Sequence, residues 1–104
     1  MTKYILAYHG GGRPATPEEG AKMMEAWNNW YGAIGDKLAD GGSAFGKSMT
    51  VNSDSSVSAG GGANPLSGYT VVNADSYDAA CAIAKGSPIL GAGGTIEVCE
   101  FMDM

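Results

Sequence analysis

The sequence predicts a single α+β domain, and three observations carry that prediction. Its 104 residues are enough for one hydrophobic core and too few for two. Two helix-start signals are interleaved with runs of aliphatic and aromatic residues that have strand character. The 17 glycines, more than twice the ordinary share of ~7%, add many tight turns and loops.

Lys3-Tyr-Ile-Leu-Ala-Tyr-His9 reads as the first strand, stopped by Gly10-Gly11-Gly12. Thr16-Pro17-Glu18-Glu19 then places a threonine N-cap, a proline at the first helical position and a glutamate three residues after the cap, which is a capping box. Met23, Met24, Trp27, Trp30, Tyr31, Ile34 and Leu38 follow at steps of three and four, with Lys22, Glu25, Asn29, Asp36 and Asp40 between them. The pattern predicts one long amphipathic helix ending at Gly41-Gly42, weakened at Gly32 and Gly35 by up to ~1 kcal/mol each.

Ala44 to Asn52 reads as a second strand, and Ser56 to Ala59 as a short hairpin arm folding back across Asn52-Ser-Asp54-Ser. A glycine loop from Gly60 to Pro65 leads to the strand Gly68 to Ala74, a capped helix from Asp75 to Lys85, a Gly/Pro break and a last strand from Thr95 to Met102. Apart from the minor hairpin the order is β-α-β-β-α-β, the ferredoxin-like plan: an antiparallel sheet with both helices on one face.

The two faces of that sheet follow from alternation. Tyr4, Leu6 and Tyr8 share one side of the first strand and Ile5, Ala7 and His9 the other; the last strand sets Ile96 and Val98 against Cys99 and Phe101. Neither side is clearly polar. A sheet that is apolar on both faces and has helices on one predicts a homodimer covering the other.

Charge and length narrow the partners. A net charge of -5, with six scattered cations against eleven acids, argues against nucleic acid. No run approaches the ~18 apolar residues of a membrane span, and Met1-Thr2-Lys3 leads directly into a strand, so a cytoplasmic protein without a membrane partner is expected. Cys81 and Cys99 read as reduced, buried thiols. Two cysteines and one histidine without close ligand spacing suggest no metal site, and no organic cofactor is implied.

Gly41-Gly-Ser-Ala-Phe-Gly46-Lys47-Ser48 matches the phosphate-cradling loop pattern letter for letter. That loop requires a strand before it and a helix after it. The predicted order is the reverse, which favours a helix C-cap followed by a glycine-containing edge. His9, the one histidine, ends the first strand beside a glycine turn with Arg13 just beyond. It reads either as an acid/base group whose oriented partner must come from folding, or as a half-exposed residue without a role. Trp27, Trp30 and Tyr31 fit the helix stripe as core, and Glu97 and Glu100 fall on opposite faces of their strand.

Leu66-Ser-Gly-Tyr-Thr-Val-Val-Asn-Ala-Asp-Ser-Tyr-Asp-Ala-Ala, with Ala84-Lys-Gly-Ser-Pro and Gly93-Gly-Thr-Ile-Glu-Val, resembles the YCII-related (Asp-Gly-Pro-Phe domain) family. The opening Lys3-Tyr-Ile-Leu-Ala-Tyr and Thr16-Pro-Glu-Glu fit it as well. The resemblance implies a dimeric α+β barrel with pockets near the sheet, the helices or the subunit boundary. Its relatives include lactone isomerase and dehydrochlorinase-type enzymes that act on small aromatic compounds.

Two departures stand out. Only glycine survives of the Asp-Gly-Pro-Phe signature near Ala59 to Gly62, and the histidine of the dyad that some relatives carry falls near Trp30 or Tyr31, with Asp40 alone able to supply the acid. The dyad is therefore not carried over. The resulting expectation is a small-organic-ligand-binding protein, a cofactor-independent isomerase or lyase with His9 as acid/base. Tyr8, Arg13, Trp30 and Tyr69 would form the ligand wall, since rings supply stacking area and arginine holds a carboxylate. The alternative is a non-enzymatic ligand sensor or assembly module.

Overall fold

Alternating burial along the strand Thr2–His9 (β1) sets the architecture, seen here in a computed structural model that describes residues 1–102. Tyr4, Leu6 and Tyr8 are buried on one face, while Ile5, Ala7 and His9 are half-buried on the other. β1 lies inside a four-stranded sheet of order β2-β5-β1-β6, whose other strands are Leu38–Ala44 (β2), Leu66–Ala74 (β5) and Thr95–Glu100 (β6). Every pairing is antiparallel. The fold is thus α+β, built on an antiparallel sheet.

Two helices supply the second layer. Pro17–Ile34 (α1) starts at the predicted Thr16 cap: the Thr16 hydroxyl accepts from Glu19 N–H at 3.1 Å, while Glu19 Oε2 accepts from Ala15 N–H at 2.9 Å, one residue before the N–H that a capping box would use. Tyr77–Ala84 (α2) is capped by Ser76, whose hydroxyl accepts from Ala79 N–H. A short helix, Pro88–Gly91 (α3), follows. Trp30 and Ile34 of α1 and Ala80 and Ala84 of α2 join Tyr4, Leu6, Tyr8 and Val72 in one core, so both long helices cover the same sheet face. The Cα extents of 43 × 42 × 18 Å match one helix layer on one sheet.

α1 stops earlier than its apolar stripe suggests. Gly35 takes φ +63° and closes the helix, donating its N–H to Tyr31 O; a 3₁₀ turn spans Gly35–Lys37, and Leu38 already opens β2. Leu38 fits the helical spacing four residues after Ile34, but a strand paired at Val72 holds it against the same core. Gly41-Gly42 is therefore no helix end. It lies in an irregular stretch of β2, where the register shifts between Asp40 and Ser43 and Gly42 adopts φ +75°.

The predicted strand from Ala44 to Asn52 divides accordingly. Its first residue belongs to β2, Phe45 to Ser48 turn the chain, and Met49–Val51 (β3) pairs with Val57–Ala59 (β4) as a separate hairpin. The fold-back across Asn52 to Ser56 is present: Asp54 Oδ1 accepts from the Ser56 N–H and hydroxyl, which holds the exposed Asp54 carboxyl below its ordinary value. Met49, Val51 and Val57 remain 59%, 71% and 59% exposed, so the hairpin stands outside the core. The cysteines are free; Cys81 lies on α2, and Cys99 lies on the sheet face without helices, its thiol 3.8 Å from Glu97 Oε2. No described helix is long and apolar enough to cross a membrane.

Two glycine substitutions should act with opposite sign. A Cβ on Gly42 would run into the Tyr69 carbonyl and face a positive φ, so Gly42→Ala should lower stability by about 2 kcal/mol or more. A Cβ on Gly32 would meet nothing within 4 Å, so Gly32→Ala should raise it by up to ~1 kcal/mol. Urea unfolding of both variants checks the pair.

Candidate functional site

Large residues on α1 lie across from Gly42, Ala44 and Gly68 of the sheet, and a cavity of about 330 Å³ remains between them. Met24, Trp27, Asn28 and Tyr31 line it from α1, and Gly42, Ser43 and Ala44 from β2. Tyr8 of β1, Ser67, Gly68 and Tyr69 of β5 and Ile89 of α3 complete it. No ionisable acid or cation appears among these residues apart from the three tyrosines. A volume near the lower end of the roughly 300–1,000 Å³ range of ligand pockets suits a small organic molecule.

The rings are packed against one another before any ligand arrives. Trp27 lies 5.5 Å from Tyr8, 5.6 Å from Trp30 and 5.8 Å from Tyr31, measured between ring centroids. Trp30 is buried behind them, and its indole N–H donates to Ile83 O at 3.2 Å. It therefore anchors α1 to α2 and does not line the cavity, whereas Trp27 and Tyr31 do.

A chain of hydroxyls closes the polar side of the cavity. Tyr8 donates to Thr70 Oγ1 at 2.5 Å, Thr70 donates to Gly41 O at 3.2 Å, and Tyr31 donates to the same carbonyl at 3.1 Å. Burial pushes the Tyr8 hydroxyl up to about 12, a rise that the Thr70 and Ser87 hydrogen bonds oppose. Tyr8 is a hydrogen-bonding phenol at neutral pH. At the cavity edge Tyr69 donates to Asp40 Oδ2 at 3.3 Å; the Asp40 charge raises its pKa, and Phe45 stacks on it at 5.7 Å.

His9 lies on the opposite sheet face and lines neither this cavity nor the cleft near Arg13. Folding supplies it with two acceptors: Nδ1 is 3.0 Å from Asn64 O and Nε2 is 3.2 Å from Glu97 Oε1. Both contacts can be hydrogen bonds at once only when both ring nitrogens carry protons. Glu97 reaches His9 because β1 pairs Ala7 with Glu97 and His9 with Thr95, making the two side chains diagonal neighbours.

The residues singled out by sequence are thus distributed. Tyr8 enters the cavity, Tyr69 borders it but pairs with Ala7 and turns its ring to the helix-free face beside Asp40 and Phe45, Arg13 borders a second cleft, Trp30 sits in the core, and His9 pairs with Glu97 on the far face. Trp27, Asn28 and Ser67 were not singled out as ligand contacts. A signal for Trp27 exists in the excess of large α1 rings over the small Gly68 and Thr70 opposite; Ser67 carries none.

The Tyr8 environment has a pH consequence. Its hydroxyl titrates near 10 when unfolded and near 12 when folded, so its favourable contribution is complete below pH ~10 and declines as pH rises towards ~12. Tyr8→Phe should flatten that alkaline decline, which denaturation midpoints between pH 9 and 12 would show (roughly the window set by the two pKa values); an unchanged slope would place the titrating group elsewhere.

No protein-family model matches the chain, nor does any curated protein. Its function is therefore read from the geometry above.

Proposed function

We propose that the protein binds a small organic molecule with aromatic or similarly flat apolar character between α1 and the sheet. The observation that carries this reading is the cavity of about 330 Å³ walled by the rings of Trp27, Tyr31 and Tyr8. Rings supply contact area at low entropic cost, and the Asn28 amide with the Ser67 hydroxyl can orient a ligand polar group. We further propose a YCII-like, ferredoxin-like subunit that dimerises as an α+β barrel in the cytoplasm. The strand order β2-β5-β1-β6 and the helix-free sheet face carrying Ile5, Ala7 and Val71 support that assembly.

An acid/base enzyme, an isomerase or lyase without a cofactor, is the second reading, favoured by the His9–Glu97 pair at 3.2 Å. A carboxylate that orients an imidazole is the usual partner of a histidine proton carrier. His9 would then act on a molecule held at the open sheet face, since the sheet separates it from the aromatic cavity. A ligand sensor or assembly module without turnover would need only the cavity or only the sheet face.

Thermal-shift measurement with phenols, aromatic acids and small lactones tests the first reading. A ligand at about 100 times its Kd should stabilise the fold by ~2.7 kcal/mol. Ala44→Phe, which places a ring at the cavity wall, should abolish the shift and leave the unliganded melting temperature nearly unchanged, while His9→Ala should preserve it. Shifts that survive Ala44→Phe would remove the cavity as the binding site. Turnover of a stabilising ligand that disappears in His9→Ala would establish the second reading.

A further inference from the structure

Three glycine-rich loops that are distant in sequence converge on one cleft of about 470 Å³. Gly10 and Gly11 follow β1, Gly46 lies between β2 and β3, and Gly60 to Gly62 follow β4. Two of the chain's six cations, Arg13 and Lys47, line this cleft, and no aspartate or glutamate among the described residues does. The one ion pair within 4.0 Å among the described residues is His9–Glu97, so neither Arg13 nor Lys47 is matched by a described carboxylate. In a chain of net charge -5 this is a local reversal of sign.

Ser67 supplies an independent observation. Its hydroxyl oxygen is buried and has no hydrogen-bond partner among the described residues, and Ser67 lines both this cleft and the aromatic cavity. A buried hydroxyl left unpaired costs stability unless a ligand completes it. The glycines add access: a Cβ at Gly46, Gly60 or Gly62 would meet nothing within 4 Å, so the loop backbone is open to close approach. Gly46-Lys47-Ser48 thus borders an open cleft although a strand follows it and not the helix of a nucleotide-binding loop.

We propose that this cleft is an oxyanion subsite, in which Arg13 and Lys47 balance the carboxylate or phosphate of a ligand whose apolar body occupies the adjoining aromatic cavity, with Ser67 donating a hydrogen bond at the junction. Arginine and lysine both bind such groups through charge-assisted hydrogen bonds. The apolar part of this assignment rests on the aromatic-cavity reading; the anion part stands on the cleft alone. The ligand class is a small aromatic or similarly flat acid or phosphate ester.

Calorimetric titration of the full chain with phenol, benzoate, phenyl phosphate and inorganic phosphate separates the two parts. Benzoate or phenyl phosphate should bind at least about tenfold more tightly than phenol at low salt, and the advantage should shrink as salt is raised. The double variant Arg13→Gln/Lys47→Gln, altered only at exposed positions, should lose that advantage and keep its phenol affinity. Ser67→Ala should weaken the anions without lowering the stability of the unliganded protein, which a merely structural hydroxyl would not do. Inorganic phosphate that binds and is lost in the double variant, with no binding of phenol, would uphold the subsite and remove the aromatic cavity. Anions that bind no better than phenol, that keep their advantage in the double variant, or that do not bind at about 10 mM would overturn the subsite.

Discussion

The Gly41 carbonyl is the point on which the cavity depends. It accepts hydroxyl hydrogens from Tyr31 of α1 and Thr70 of β5, and Thr70 in turn accepts from Tyr8 of β1. One backbone oxygen therefore ties the first helix to three strands. The carbonyl is available because the β2 ladder is irregular there: the Asp40 side chain takes the Gly42 N–H at 2.8 Å, and Gly42 passes against the Tyr69 backbone in a conformation that favours glycine. Without the irregularity β2 would pair regularly with β5, and the Tyr31 and Thr70 hydroxyls would lose their common acceptor.

Size complementarity explains why the space beside that junction stays open. Protein interiors close up when large residues oppose large spaces and small residues oppose knobs. Here Trp27 and Tyr31 stand on the helix, and Ala44 and Gly68 line the cavity from the sheet, while Trp30 ties α1 to α2 through its bond to Ile83 O. Further along, where Ile34 meets Val72 and Leu38, aliphatic side chains fill the interface. The same helix is thus a core element at its C-terminal end and a cavity wall at its middle.

Sequence reading recovers what local chemistry decides. The Thr16 cap, the alternation of Tyr4, Leu6 and Tyr8 against Ile5, Ala7 and His9, and the fold-back at Asn52 to Ser56 all act within a few residues, and each is present. The stretch from Gly35 to Ser48 is different. Its apolar spacing continues the helix through Leu38, and Gly41-Gly42 looks like a C-cap, because helix end and strand irregularity call on the same conformational freedom of glycine. Only pairing with β5, about thirty residues away, decides between them. The His9–Glu97 pair was hidden for the same reason, since it needs the β1–β6 register and not any local pattern.

That register also constrains the chemistry. Adjacent residues of one strand point to opposite faces, so Tyr8 enters the aromatic cavity while His9 faces the side without helices. A molecule in the cavity cannot use the histidine as its proton carrier, because the sheet lies between them. Among the polar groups that line the cavity, the Tyr8 hydroxyl, pushed up to about 12 and already donating to Thr70, is poorly matched to proton abstraction near neutral pH. The aromatic cavity and the His9–Glu97 pair therefore lie on different faces of one sheet. A proton transfer by the His9–Glu97 pair would therefore take place on the helix-free face, away from the aromatic cavity.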